Sequence, residues 1–209
     1  ITFSFFFFPP PPPPRAALLL LPWQVSRTLR TVVAALEADC ARRFVWAETI
    51  WLDLLKTEYP EVFARFVALA ARGQIEIVEG GWVMHDEVNP SLYAILSQMT
   101  TGFEFLAANN ISLPTTSWSI DPFGSTAVSP AVFARFGFST SVINRIPNAE
   151  KVRMRADQGL HFIWNGLPSG DNTTSVLAHV LDTHYSTPDI HGLTAAQRAE
   201  SFAATLRQV

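Results

Sequence analysis

The sequence predicts an α/β fold with a largely parallel sheet flanked by helices. Two observations carry that expectation. Short apolar runs of strand length alternate along the chain with stretches whose apolar residues recur at helical spacing. Three of the strand-like runs then end on a charged or glycine-bearing turn, the kind of junction found where a parallel strand gives way to a connecting helix. Composition agrees. The 209 residues carry 15 basic and 18 acidic side chains, a formal net charge of -3, and 48% are apolar while only 16% are charged. An average soluble domain is about 25% charged, so a solvated disordered chain is excluded for most of the length. No basic stripe suited to a phosphate backbone is present, which argues against a nucleic-acid partner. Cys40 is the single cysteine, which excludes an internal disulfide framework and a thiolate zinc finger.

The elements follow in order. Residues 1–22 form a low-complexity segment in which Phe and Pro dominate: five phenylalanines within residues 1–8, then six prolines from Pro9 to Pro14. A proline run lacks backbone donors and reads as exposed polyproline II. The apolar stretch Ala16–Leu21 falls short of the roughly 20 residues a bilayer span requires, and Pro22 interrupts it. The first residue is Ile1, so the chain reads as a piece of a longer frame. From Trp23 to Val209 the organisation reads as one unit without internal repeats. Leu29, Val32, Val33 and Leu36 mark a helix face. Phe44–Ala47 reads as a buried strand ending at Glu48. Val62, Phe63, Phe66, Val67 and Ala70 mark a second helix, with Gly73 placed to stop it. Ile75–Val78 is a strand running into Gly80-Gly81. Asn89-Pro90 reads as a helix cap followed by proline in the first helical position. Leu92, Ile95, Leu96, Met99, Phe103 and Leu106 then form that helix's apolar stripe. Ser117–Ile120 is a third strand, Ser129-Pro130 opens a short helix closed by Gly137, and Thr140–Ile143 is a fourth strand.

In parallel α/β sheets, functional side chains gather at the carboxyl ends of strands. Three such ends are polar here: Glu48, the Glu79-Gly80-Gly81-Trp82 turn, and Asp121. Pro122 removes a backbone donor and biases Asp121 toward an extended conformation. A strand-end carboxylate on a fixed backbone suits a nucleophile or a metal ligand; an Asp before Pro is more often a plain turn residue.

The words around these residues resemble glycoside hydrolase family 38, the α-mannosidases. The resemblance rests on Gly80-Gly81-Trp82-Val83-Met84 with Asp86-Glu87, and on Trp118-Ser119-Ile120-Asp121-Pro122-Phe123-Gly124. It extends upstream to Phe44–Glu48 and downstream through Ile143-Asn144-Arg145-Ile146, Leu160–Trp164 and His179–Pro188. It covers roughly residues 26–190 in one order. It implies that residues 23–209 are part of the N-terminal catalytic domain of such an enzyme, an incomplete seven-stranded, barrel-like (β/α) domain. The implied activity is retaining hydrolysis of α-linked mannose in N-glycans or oligosaccharides with one zinc ion. Asp121 falls on the position that is both nucleophile and zinc ligand, and Arg145 and Tyr185 fall on or near substrate-binding positions. Glu48, Asp86 and Glu87 match motif positions read as structural. The tone is nearer the Golgi II and lysosomal branches, which implies an endomembrane location. Two sequons, Asn110-Ile111-Ser112 and Asn172-Thr173-Thr174, point the same way.

The chain also departs from the family. A His-x-Asp strand that supplies two zinc ligands is expected near residues 7–14, where Phe7-Phe8 and the proline run stand. Ser125 replaces a histidine that usually follows Gly124, and the general acid and last zinc histidine are expected beyond Val209. The five histidines, His85, His161, His179, His184 and His191, show no helical ligand spacing. Zinc needs three or four ligands at one point, so the polypeptide alone is expected to bind zinc poorly and to be inactive. Two other readings stay open: a non-catalytic remnant or glycan-binding pseudoenzyme, and another metal-dependent polysaccharide hydrolase such as a deacetylase.

Overall fold

A computed structural model of the chain describes residues 14–87, 90–166, 174–182, 194, 196, 197 and 200, with side chains from residue 23 onward. The Phe and Pro run of residues 1–13, Asn89, Asn172, His184, Tyr185 and His191 lie outside the described residues. In chain order the elements are α1 (Pro14–Glu37), β1 (Phe44–Trp46), α2 (Thr49–Glu58), α3 (Pro60–Ala71), β2 (Ile75–Ile77), α4 (Leu92–Ala108), β3 (Thr116–Ser119), α5 (Ser129–Arg135), β4 (Thr140–Ile143), α6 (Asn148–Ala156), β5 (His161–Asn165) and β6 (Ser175–Val180). The described chain divides into two compact units, residues 1–84 with 90–114, and residues 85–89 with 115–209.

In the first unit β1 and β2 pair in parallel, Phe44 opposite Ile75 and Trp46 opposite Ile77. Leu29, Val33 and Phe66 of the expected stripes are each 0% exposed and share one core with Leu52, Leu55 and Leu69, which the sequence reading had not singled out. Burying each such side chain contributes roughly 1.5–3 kcal/mol, which is why helices with little capping hold here. Gly73 follows the last turn of α3 with φ 73°, and Gly137 follows that of α5 with φ 89°. Both stop their helices as expected, because a left-handed residue after the C-cap carries no Cβ penalty only when it is glycine.

One detail of the reading is corrected. The α4 N-cap is Ser91, whose Oγ accepts from the Ala94 amide at 3.2 Å. The helix therefore begins at Leu92, two residues later than Asn89-Pro90 suggested. A serine hydroxyl that satisfies an N3 amide fixes the start more firmly than a proline, which only removes a donor. Helix α1 continues through Pro22, so that residue marks no break in the backbone; the buried face from Leu29 to Leu36 anchors the helix downstream. Among the described residues no helix is long and apolar enough to cross a membrane.

In the second unit the strand order is β3-β4-β6-β5. The first three run parallel, with Ser119 opposite Ile143 and Ile143 opposite Val180, and β5 is antiparallel to β6. Ile143, Leu160 and Val180 form a small core against Met154, Phe162 and Trp164. The architecture is α/β with parallel strands flanked by helices, as the pattern predicted.

Candidate active site: a strand-end carboxylate gripped by arginine

Asp121 stands two residues beyond Ser119 and Arg145 two beyond Ile143, so parallel register delivers both to the same end of adjacent strands. The Arg145 guanidinium donates to Asp121 Oδ1 from Nε at 3.1 Å and from Nη2 at 2.6 Å. The Asp121 side chain is 61% exposed and that of Arg145 only 25%. Beneath the guanidinium lies Phe123, its ring centroid 4.5 Å from Cζ. The ring holds the cation flat and in place, worth about 0.5–1 kcal/mol where partly solvated. Pro122 is buried behind the pair.

The turn that presents Asp121 is fastened by a residue that carried no assigned role. Asn144 is 1% exposed; its Nδ2 donates to the Ile120 carbonyl at 3.1 Å, and its Oδ1 accepts from Lys151 Nζ at 2.9 Å. Burial pushes the Lys151 ammonium below its usual range. Asn144 was legible only as a motif member, and Lys151 carried no signal at all.

The other motif carboxylates do structural work, as the sequence suggested. Glu48 sits before the first turn of α2 and accepts from Trp51 Nε1 at 2.8 Å and from the Met84 amide at 2.9 Å. Glu87 accepts from Ser129 Oγ at 2.8 Å and from the Thr126 amide at 3.0 Å, tying down the start of α5. Asp86 Oδ1 accepts from the Glu87 amide. The Gly80-Gly81-Trp82 turn spends its polarity on backbone. The carbonyls of Gly81 and Trp82 accept from the Thr49 and Ile50 amides at 3.0 and 3.1 Å, satisfying otherwise orphaned donors of α2. The helix packed against it needs a glycine for contact: a Cβ on Gly102 of α4 would stand 2.1 Å from the Gly80 carbonyl oxygen.

His85 is buried beside Phe133, and burial lowers its pKa. His161 and His179 face each other across β5 and β6 with ring centroids 4.5 Å apart. Burial, and then the His161 charge, lower the pKa of His179. Among the described residues no three metal-ligating side chains come together. Asp121 is a chemically suitable ligand, but the described residues do not themselves fit a complete zinc centre.

A parallel α/β unit with a carboxylate and a guanidinium paired at adjacent strand ends is a class shared by many unrelated functions. The comparisons narrow that class. A family profile described as "Glycosyl hydrolases family 38 N-terminal domain" matches residues 22–209. The chain is 35% identical over 169 residues to alpha-mannosidase F of Dictyostelium discoideum, covering 79% of this chain and 17% of that protein. It is 31% identical over 174 residues to alpha-mannosidase 2x of Mus musculus, covering 81% of this chain and 15% of that one. The chain thus spans less than a fifth of either relative. Among solved structures, an alpha-mannosidase from Enterococcus faecalis V583 superposes with a TM-score of 0.70 at 16% identity, over 90% of this chain and 21% of that chain, a likeness of fold. This chain belongs to glycoside hydrolase family 38.

Proposed function

We propose that the chain supplies the nucleophile-bearing part of a retaining α-mannosidase acting on mannose-containing glycans, and that this polypeptide by itself does not turn over. The observation that supports the reading is the Asp121–Arg145 pair, an exposed carboxylate fixed at a strand end inside the family's own motif. In such chemistry one carboxylate oxygen of Asp121 bonds to the anomeric carbon as the glycosidic bond breaks. The departing oxygen takes a proton from a second carboxyl roughly 5 Å away, and water later cleaves the ester. Arg145 orients Asp121 through two hydrogen bonds to one carboxylate oxygen, and its guanidinium would donate to sugar hydroxyls. Tyr185 is proposed as a further substrate contact. Zinc, if held, would take Asp121 as this chain's ligand and would polarise sugar hydroxyls; the remaining ligands and the proton donor are assigned to no residue here. The two sequons support an endomembrane location for the protein.

The test incubates the polypeptide, with and without added zinc, with a chromogenic α-mannoside. No release of chromophore is expected. Release that vanishes in Asp121→Asn would overturn the inactivity of the chain while establishing the nucleophile. Release that persists in Asp121→Asn would remove Asp121 from the mechanism.

A further inference from the structure

The sequon Asn110-Ile111-Ser112 belongs to the first unit, whereas Asp121 and Arg145 belong to the second. After α4 ends at Ala108, two asparagines follow, and the fold treats them oppositely. Asn109 turns back onto the helix, its Nδ2 donating to the Phe105 carbonyl at 2.7 Å. Asn110 adopts a left-handed backbone with φ 56° and is exposed, a conformation asparagine tolerates better than most residues. Ile111 then points inward: it is 5% exposed, joins the core with Leu106, and its amide donates to the Leu106 carbonyl at 3.0 Å. Ser112 is exposed again, and residues 111–114 have no regular secondary structure. The reversal places acceptor amide and hydroxyl outside, while the middle residue anchors the turn.

We propose that Asn110 is an N-glycosylation site, modified with an oligosaccharide when the chain enters the secretory pathway. An Asn-x-Ser triplet without proline in the middle is the acceptor pattern, and a bulky solvated glycan requires a surface turn. In the transfer, Asn110 Nδ2 forms a bond to the anomeric carbon of a lipid-pyrophosphate-linked oligosaccharide. The carbon–oxygen bond to pyrophosphate breaks, the lipid pyrophosphate leaves, and the amide loses one proton. Attachment at this point displaces no buried side chain and leaves the Asn109 bond to α4 intact. The site rests on the endomembrane reading only for its occupancy in the organism, not for its competence as an acceptor.

The full chain, translated behind a cleavable signal sequence into glycosylation-competent microsomes, is compared with Asn110→Gln, Asn172→Gln and the double variant. The chain should show a glycan-dependent mobility shift that an N-glycanase reverses, and Asn110→Gln should lose one step of it. Ser112→Ala should lose the same step, and Ser112→Thr should keep it; these two leave Asn110 in place. A shift unchanged by Asn110→Gln, or no glycanase-sensitive product while a control glycoprotein in the same reaction is modified, would overturn the site. Because the microsomes impose the compartment, a different native location would leave these outcomes unaltered.

Discussion

Replacing Gly102 by alanine separates two accounts of the glycines around the Gly80-Gly81 turn. An exposed helical glycine gains about 1 kcal/mol on becoming alanine. At Gly102 the new Cβ would meet backbone: 2.1 Å to the Gly80 oxygen, 2.5 Å to the Gly81 carbonyl carbon and 2.7 Å to the Gly81 Cα. No rotamer can relieve such contacts, and ordinary non-bonded separations are roughly 3.5–4.0 Å, so α4 or the turn must move by about 1 Å. That movement strains the Trp82 amide bond to the Gln98 carbonyl at 3.0 Å and the Val83 amide bond to Gln98 Oε1 at 3.2 Å. Overpacking costs about 1–3 kcal/mol, each weakened hydrogen bond about 1, and the propensity gain returns about 1. The expected result is a net loss of about 2–4 kcal/mol, or roughly 5–15 °C in Tm for a chain of this size. Thermal and urea unfolding followed by far-ultraviolet circular dichroism would read it. A Gly102→Ala protein as stable as the parent, or more so, would refute the close-approach argument.

Other substitutions test the assigned roles. Glu48→Ala strands the Met84 amide and the Trp51 indole, so urea unfolding should show a loss of about 2 kcal/mol; a change within experimental error would return Glu48 to the list of functional candidates. Arg145→Met should alter stability by less than about 1 kcal/mol, since its pair with Asp121 is solvent-screened. The same variant should abolish any α-mannoside-induced shifts in the nuclear magnetic resonance spectrum, and a large stability loss instead would make the pair structural. Acidification tests His85 and His179, whose folded pKa values burial holds below 6.5. Between those lowered values and 6.5 the unfolded chain binds protons that the folded chain does not, so stability falls as pH drops through that window and is flat above it. His85→Phe should flatten the slope, as equilibrium unfolding at a series of pH values would show; an unchanged slope would acquit the residue.

What could be read in advance followed burial. The four strands predicted from apolar runs all occur, Thr140–Ile143 with unchanged limits and Ser117–Ile120 displaced by one residue, because each buries at least one face or packs against a core. Helix α6 gave no signal: Arg153 and Arg155 dominate it and none of its residues is buried, so no apolar stripe exists to be seen. Strand β5 was hidden for a related reason, its exposed positions including Ile163 at 61% and its partner Leu177 at 44%, which inverts the usual hydrophobic contrast. Helix α2 buries Leu52 and Leu55, but its start depends on amides that bond to the carbonyls of Gly81 and Trp82 some thirty positions away. Asp121 and Arg145 were recognisable as motif letters, whereas the buried Asn144–Lys151 tie that steadies them is a three-dimensional fact with no periodicity behind it.

The way β3 and β4 leave the sheet has a bearing on how such proteins can diverge. Side-by-side strands that advance in step hand their next residues to one another automatically, so the encounter of position 121 with position 145 is assembled by the ladder and not by the loops that follow. Those loops can therefore lengthen, shorten or change letters at little cost to the encounter. A single residue inserted inside either strand would instead carry the two charges to opposite faces of the ribbon, and natural variation in this part of the chain should avoid that one change above all others.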